Sequence, residues 1–268
     1  MTDLVPKLPA HAEATIHRFL RAHAGGPRDG VVLGLSGGID SALCARLARD
    51  ALGADHVLGA LLPDAAYPAP LRAETEAFAD ALGIDHVTIP IAPIEAAYRA
   101  ELADLTDRVD VGNLKARIRM GIWYALARPR RRLVLGTGNK SELLLGYFTK
   151  YGDGGVDLLP IGDLYKTEVR ELARRLELPA PILARPPTAG LWEGQTDEEE
   201  LGLPYAALDR ILTGLEQLLP EREIAARTGL PPEVVRGVVA RVEGSRHKRR
   251  MPPIPKLALR TVGLDWRE

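Results

Sequence analysis

The sequence predicts an α/β domain, a single parallel sheet flanked by helices, and three observations predict it. Short apolar runs alternate with helical stretches in the order strand, helix, strand, helix, strand, which calls for parallel strands and right-handed crossovers. The first strand runs through a glycine turn straight into a helix. The 268 residues, 46% of them apolar, suffice for one sizeable core with short appendages.

Each element has its own signal. Residues 12–23 read as an opening helix, with Ile16, Phe19 and Leu20 at helical spacing and Gly25-Gly26-Pro27 as its stop. Residues 30–35 are a short buried strand, and strong helix formers follow from Ala42 to Ala48. Residues 56–62 make a second strand stopped by Pro63, residues 71–82 a helix closed by Gly83, and residues 86–91 a third strand. A long helix spans 113–127 with Leu114, Ile118, Ile122 and Ala125 on one side. The fourth strand is 131–136, and a short helix covers 141–145. Residues 146–160 are glycine-rich and irregular, the character of a lid. A helix over 166–176 precedes the proline-rich stretch 179–203, whose acid run Asp197 to Glu200 reads as a solvated loop. Further helices fall near 205–219, 221–228 and 232–243. The chain therefore reads as one domain, 1–268: an N-terminal helix in 1–29, an α/β core over 30–200 and a helical extension over 201–268.

Composition narrows the function. A net charge of −1 gives no global basic field, so no nucleic-acid partner is expected; the one basic cluster, Arg246 to Arg250, is local. No apolar run approaches the ~18–20 residues of a membrane span, and the first residues lack a signal-peptide layout. The single cysteine excludes internal disulfides and multi-cysteine zinc sites. A cytoplasmic enzyme is the default expectation.

The most informative segment is Ser36-Gly37-Gly38-Ile39-Asp40-Ser41. A strand–glycine turn–helix layout points free helix-start N–H groups at an anion, and glycines let the backbone come close to it. No Walker Lys-Ser/Thr pair and no third dinucleotide-fold glycine is present. Asp40 would repel phosphate unless a cation lay between them, which implies Mg2+. Ser36 and Ser41 can donate to phosphate, and Ser41 can cap the helix. Turn chemistry alone fits an ordinary helix start equally well.

The Ser-Gly-Gly-x-Asp-Ser pattern resembles the pyrophosphate loop of the ATP pyrophosphatase superfamily, whose members cleave ATP between the α and β phosphates. Further blocks resemble one branch, the ammonia-dependent NAD synthetases. These are Gly112-Asn113-Leu114-Lys115-Ala116-Arg117-Ile118-Arg119-Met120, Leu135-Gly136-Thr137-Gly138-Asn139-Lys140-Ser141-Glu142, the glycine-rich run from Gly146 to Asp157 and on to Lys166, Pro187-Thr188-Ala189-Gly190-Leu191-Trp192, and His247-Lys248-Arg249-Arg250. The resemblance runs from about residue 30 to 255. It implies a Rossmann-like, three-layer fold of the adenine nucleotide alpha hydrolase kind. It also implies ATP-dependent amidation of nicotinic acid adenine dinucleotide (deamido-NAD) to NAD through an acyl adenylate, with release of AMP and pyrophosphate.

Site roles follow from the same resemblance. Gly34, Leu35, Ser36, Gly37, Gly38, Ile39, Asp40 and Ser41, with Thr137, Lys166 and Thr188, would bind ATP. Asp40 and Glu142 would hold Mg2+, and Asp40, Glu142 and Lys166 would carry catalysis. Arg117, Lys150, Asp157, His247 and Lys248 would contact deamido-NAD. A homodimer with the dinucleotide near the subunit boundary is implied too. Glutamine-using relatives carry a long extra domain with a catalytic Cys; with about thirty residues before the first strand and Cys44 inside a helix, free ammonia is the expected donor, unless a separate amidase subunit delivers it. Each residue also has a duller reading: Arg117 a solvated cation, Glu142 a helix-start carboxylate worth ~0.3–1 kcal/mol, Cys44 a small core residue. The alternative function is another ATP pyrophosphatase, such as a tRNA-modifying enzyme, and a non-catalytic nucleotide sensor is a further rival.

Overall fold

Four short strands, β1 (Val31–Gly34), β2 (Val57–Leu61), β3 (Asp85–Thr88) and β4 (Leu133–Leu135), lie parallel in the order β3-β2-β1-β4. The computed structural model describes residues 4–26, 30–102, 104–192 and 194–265. The sequence readings that touch Met1 to Asp3 and Pro27 fall outside them. Val31 faces Val57 on one side and Leu133 on the other, which sets the register of the central strand. Pairing runs past β3, since the amides of Ile89 and Ile91 donate to the carbonyls of Leu61 and Pro63.

Alternation along the strands divides the core in two. Val31, Leu33, Val57 and Leu61 pack with helices α1 (Ala12–Ala24), α2 (Ile39–Leu52), α3 (Ala69–Leu82), α7 (Lys166–Arg175) and α8 (Ala180–Ala184). Val32, Leu58, Ala60 and Val134 face the opposite way, onto Ile118 and Ala127 of α5 (Arg108–Ala127). That is the expected three-layer α/β arrangement. A third apolar cluster joins Leu4 and Leu145 to α10 (Tyr205–Glu216), α11 (Glu221–Thr228) and α12 (Pro232–Gly244), so the start of the chain packs on its last helices.

The strand order explains where a ligand can sit. After β1 the chain builds β2 and β3 on one side, then returns to place β4 on the other. The two turns that leave the carboxyl ends of β1 and β4 diverge around a topological switch point, where open α/β sheets bind ligands.

Several expectations need correction. The long helix begins at Arg108, before the expected Asn113, because the Asp107 carboxylate accepts from the amides of Val109 and Asp110 and caps it. Ala125, placed on its apolar stripe, is exposed. Helix α4 (Ala92–Glu101) went unrecognised; none of its residues is buried, so it carries no strong apolar pattern. The acid run is not a solvated loop. It forms helix α9 (Asp197–Leu201), started by the Thr196 hydroxyl accepting from Glu199 N, and Asp197 is 3% exposed.

Candidate active site

The phosphate turn is shaped by close packing and by its own hydroxyls. Gly37 sits at φ +75°, and a Cβ there would lie 2.6 Å from Leu71 Cδ1. A Cβ on Gly34 would meet the Trp123 ring at 2.6 Å, so the strand end can approach α5 only as glycine. Leu35 and Ile39 are buried anchors on either side. Ser36 Oγ accepts from Gly38 N at 3.2 Å, and its own amide donates to Ser41 Oγ at 3.3 Å. Ser41 Oγ donates to Gly38 O at 3.0 Å. Ser41 therefore braces the turn and is not the helix cap. Gly38 occupies the cap position of α2 and no side chain caps the helix, which leaves its first N–H groups for an anion.

The turn after β4 contributes the acidic half. Helix α6 (Lys140–Leu145) opens with a capping box: Asn139 Oδ1 accepts from Glu142 N at 3.0 Å, and Glu142 Oε2 accepts from Asn139 N at 3.2 Å. The duller reading of Glu142 is thus true of one oxygen. The other, Oε1, accepts from Lys166 Nζ at 3.2 Å, and the same ammonium donates to Asp40 Oδ2 at 2.5 Å. Asn139 Nδ2 donates to Asp40 Oδ1 at 3.0 Å, which ties the two turns together. Asp40, Glu142 and Lys166, far apart in sequence, form one constellation around the buried Lys166 ammonium.

Electrostatics there are unbalanced. Burial raises the Glu142 pKa, with Asp40 and Asp197 adding to the rise and Lys166 opposing it, to about 8. Burial alone would lower the Lys166 pKa, but Asp40 and Glu142 outweigh it and hold the ammonium above its ordinary range. Asp197 accepts from Tyr205 Oη at 3.2 Å through Oδ2, while its buried Oδ1 has no partner among the described residues. Two part-buried carboxylates, Asp40 and Glu142, thus share one ammonium, and the buried Asp197 adds a third acid within its electrostatic reach. Cys44 lies beneath, its thiol donating to Gly136 O at 3.8 Å and pushed well up by burial, so it stays a neutral core group.

The basic residues gather next to this pocket. Lys248 Nζ donates to Gly146 O at 2.7 Å and Phe148 O at 2.8 Å, and Lys150 Nζ to His247 O at 2.9 Å. Exposed Arg117 reaches Lys150 O at 3.4 Å. Lys248, Lys150 and Arg117, with His247 beside them, line one strip along the glycine-rich segment, which is tied down by these bonds and by Thr149 N donating to Asp153 Oδ1 at 2.8 Å. Asp157 stands apart, accepting from Tyr124 Oη at 3.1 Å and Val134 N at 2.8 Å. Tyr124 is two helical turns from Arg117, so Asp157 borders the same face of α5. Thr137 lies half-buried at the end of β4. Thr188 is exposed, its hydroxyl accepting from Gly190 N at 3.0 Å.

Four contributors were missed from the sequence. Arg185 donates to Gly37 O and pairs with Glu74 at 2.5 Å, bringing a guanidinium to the phosphate turn. Tyr67 Oη donates to Ser36 O at 3.0 Å from a Pro/Ala-rich segment to which no contact had been assigned. Asp197 and Tyr205 complete the acidic pocket, with Lys166 Nζ 5.3 Å from the Tyr205 ring centre. None of the four carries a local motif.

An uncapped helix start facing a lysine-bridged carboxylate pair, at the switch point of a parallel sheet, defines a nucleotide-binding α/β enzyme of the ATP pyrophosphatase kind. The NAD synthase family model matches residues 14–252. Over 232 residues the chain is 49% identical to the NH(3)-dependent NAD(+) synthetase of Methanosarcina acetivorans, a match covering 85% of this chain and 91% of the relative. Among solved structures, the NMN synthetase of Francisella tularensis aligns with a TM-score of 0.82 at 33% identity, over 94% of this chain and 100% of that one. The NH3-dependent NAD synthetase of Campylobacter jejuni, in complex with the nitrate ion, aligns at 0.77 and 33% identity, over 91% and 98%. The chain belongs to the NAD synthase family.

Proposed function

We propose that this protein is a carbon–nitrogen ligase that amidates deamido-NAD to NAD with ammonia and ATP. The observation that carries the reading is the meeting of Asp40, Glu142 and Lys166 with the uncapped start of α2. In the first step a nicotinate carboxylate oxygen attacks the α-phosphorus of ATP, and the bond to the β-phosphate oxygen breaks. Pyrophosphate departs with that electron pair, and the helix-start amides and the Lys166 ammonium stabilise its growing charge. Ammonia then attacks the acyl carbon, the carbon–oxygen bond to AMP breaks, and the surplus proton leaves to solvent.

The donor set suits magnesium. Among the described residues no three His, Cys, Asp or Glu side chains form a preformed cage. Two carboxylates, Asp40 and Glu142, are what an ion that keeps water and takes phosphate oxygens requires. The raised Glu142 pKa, which marks a carboxylate with too little positive charge around it, and the Asp197 Oδ1, without a partner among the described residues, also call for a cation. Bound there, magnesium would supply charge neutralisation at the phosphates.

Arg117, Lys150, His247 and Lys248 are assigned to the dinucleotide, whose pyrophosphate and carboxylate suit a basic strip. Thr137 and Thr188 are assigned to ATP, and Asp157 to the dinucleotide as the family resemblance implies. A homodimer accounts for apolar side chains left in water: Met251 (80% exposed), Leu257 (91%) and Leu259 (89%) on the C-terminal arm, and Ile94, Tyr98 and Val109 on α4 and α5. Among the described residues no helix is long and apolar enough to cross a membrane; a cytoplasmic location fits the substrates.

The deciding experiment supplies ATP, magnesium and one acceptor, with ammonium or glutamine as nitrogen source. Deamido-NAD with ammonium should yield NAD and AMP in equal amounts, and glutamine alone should not. The nicotinate mononucleotide should be a poorer acceptor; preference for it would move the protein to the activity named for the Francisella structure. AMP release with a tRNA acceptor and none with deamido-NAD would overturn the assignment.

A further inference from the structure

Thr188 lies in the stretch between α8 and α9, and among the described residues that stretch is tied to the phosphate turn at one end and to α5 at the other. At one end Arg185 donates to Gly37 O. At the other, Leu191 rests on α5, where a Cβ on Gly112 would fall 2.9 Å from Leu191 Cδ1. The Leu191 carbonyl accepts from Lys115 Nζ at 3.0 Å. Lys115 is 8% exposed, and its ammonium also donates to Asp64 Oδ2 at 2.7 Å. The Asp64 side chain is 2% exposed, so neither charge is held by water. Its second oxygen accepts from Ala66 N at 3.1 Å and shapes the turn after β2. From that turn Tyr67 reaches the Ser36 carbonyl in the phosphate turn.

We propose that Asp64 and Lys115 are a positioning pair for ATP, holding the phosphate turn and the Thr188 segment at a fixed separation. Neither touches a reacting atom. One side of the pair acts through Tyr67 on Ser36, the other through Leu191 on Thr188. The inference rests on the ATP-dependent reading above and adds residues that reading does not use. The competing account is a buried ion pair that only stabilises the fold.

The two accounts separate in a small variant set. Lys115→Met should raise the ATP KM ~10-fold, change kcat less than ~3-fold and leave the deamido-NAD KM within ~2-fold. It should also speed amide exchange in residues 187–192 of the substrate-free protein, a readout that needs no activity. Asp64→Asn/Lys115→Met removes both charges, keeps an acceptor for Ala66 N and leaves the neighbouring Glu95 and Arg119, each 3.9 Å from the pair, as one acid and one base, so it should recover thermal stability without recovering the ATP KM. Lys115→Arg keeps a donor and should recover much of the ATP KM. If Lys115→Met does not fold, Asp64→Asn carries the same comparison. A double variant that regains both stability and ATP KM, or unchanged exchange in 187–192, would overturn the proposal. Faster exchange in a protein that amidates no acceptor would sink the functional reading while leaving the coupling intact.

Discussion

The acidic pocket and the basic strip hold their charges in opposite ways. In the pocket Lys166 is 2% exposed, and each of its carboxylate partners is fixed by a second bond, Asp40 to Asn139 and Glu142 to its capping box. In the strip, Lys150 and Lys248 donate to main-chain carbonyls, Arg117 and His247 are exposed, and among the described residues no carboxylate pins these side chains at hydrogen-bond distance. The pocket is prepaid electrostatics, built in low dielectric before any ligand arrives. The strip is cations awaiting an anion. Chemistry at the α-phosphate needs preorganisation, whereas holding a flexible dinucleotide needs only complementary charge.

The largest effect should come from removing the charge on which the pocket turns. Lys166→Met strands Asp40 and Glu142 without their shared ammonium, so turnover should fall ~10³-fold, with a stability loss of about 3–5 kcal/mol. Steady-state AMP release and chemical denaturation measure the two. Turnover within tenfold of the parent would break the contrast with the strip. Next come Asp40→Asn and Glu142→Gln, each expected to lower magnesium-dependent turnover at least ~10-fold. A near-normal rate in either variant would remove that residue from the metal role. In the strip, Lys150→Met or Arg117→Met should act on binding: the deamido-NAD KM rises ~10-fold with kcat little changed, and added salt narrows the gap. A loss confined to kcat would mean that the strip is also preorganised for the chemistry.

How much of this could be read from the chain depends on how local the signal is. The turn from Ser36 to Ser41 was legible because strand, glycines and helix start are contiguous, and the strands because each is a short apolar run beside a turn residue. Lys115 carried a signal that the stripe of Leu114, Ile118, Ile122 and Ala125 passed over: Val111, Lys115, Ile118 and Ile122 follow helical spacing, which puts a lysine on the inward face while Arg117 points out. Asp197 gave no such signal. One acid among four looks solvated, and its burial comes from Tyr205, on a different helix, and from the Lys166 pocket. Tyr67 was hidden in a proline- and alanine-rich turn whose course is set by Asp64 pairing with a residue 51 positions away. The burial of Asp197 depends on the Lys166 pocket and the course of the Tyr67 turn on Lys115, and no short window contains either pairing.

The smallest effect concerns pH and sharpens the idea of stored charge. Glu142 has its pKa raised from 4.5 to about 8, chiefly by burial. Below the ordinary glutamate range the group is protonated in both folded and unfolded chains and costs nothing. As pH rises the unfolded chain releases that proton first, so stability falls until the folded-state value is passed. Metal-free protein should therefore lose a few degrees of Tm relative to Glu142→Gln between pH 5 and pH 8. Magnesium, which favours the ionised carboxylate, should close that gap, and its affinity should climb over the same window. No cation-dependent change is expected from a matched pair of measurements on Arg117→Met, because that guanidinium is already exposed. Parallel Tm curves for the parent and Glu142→Gln, with and without magnesium, would show that the pocket stores no uncompensated charge and that its contrast with the strip is one of burial alone.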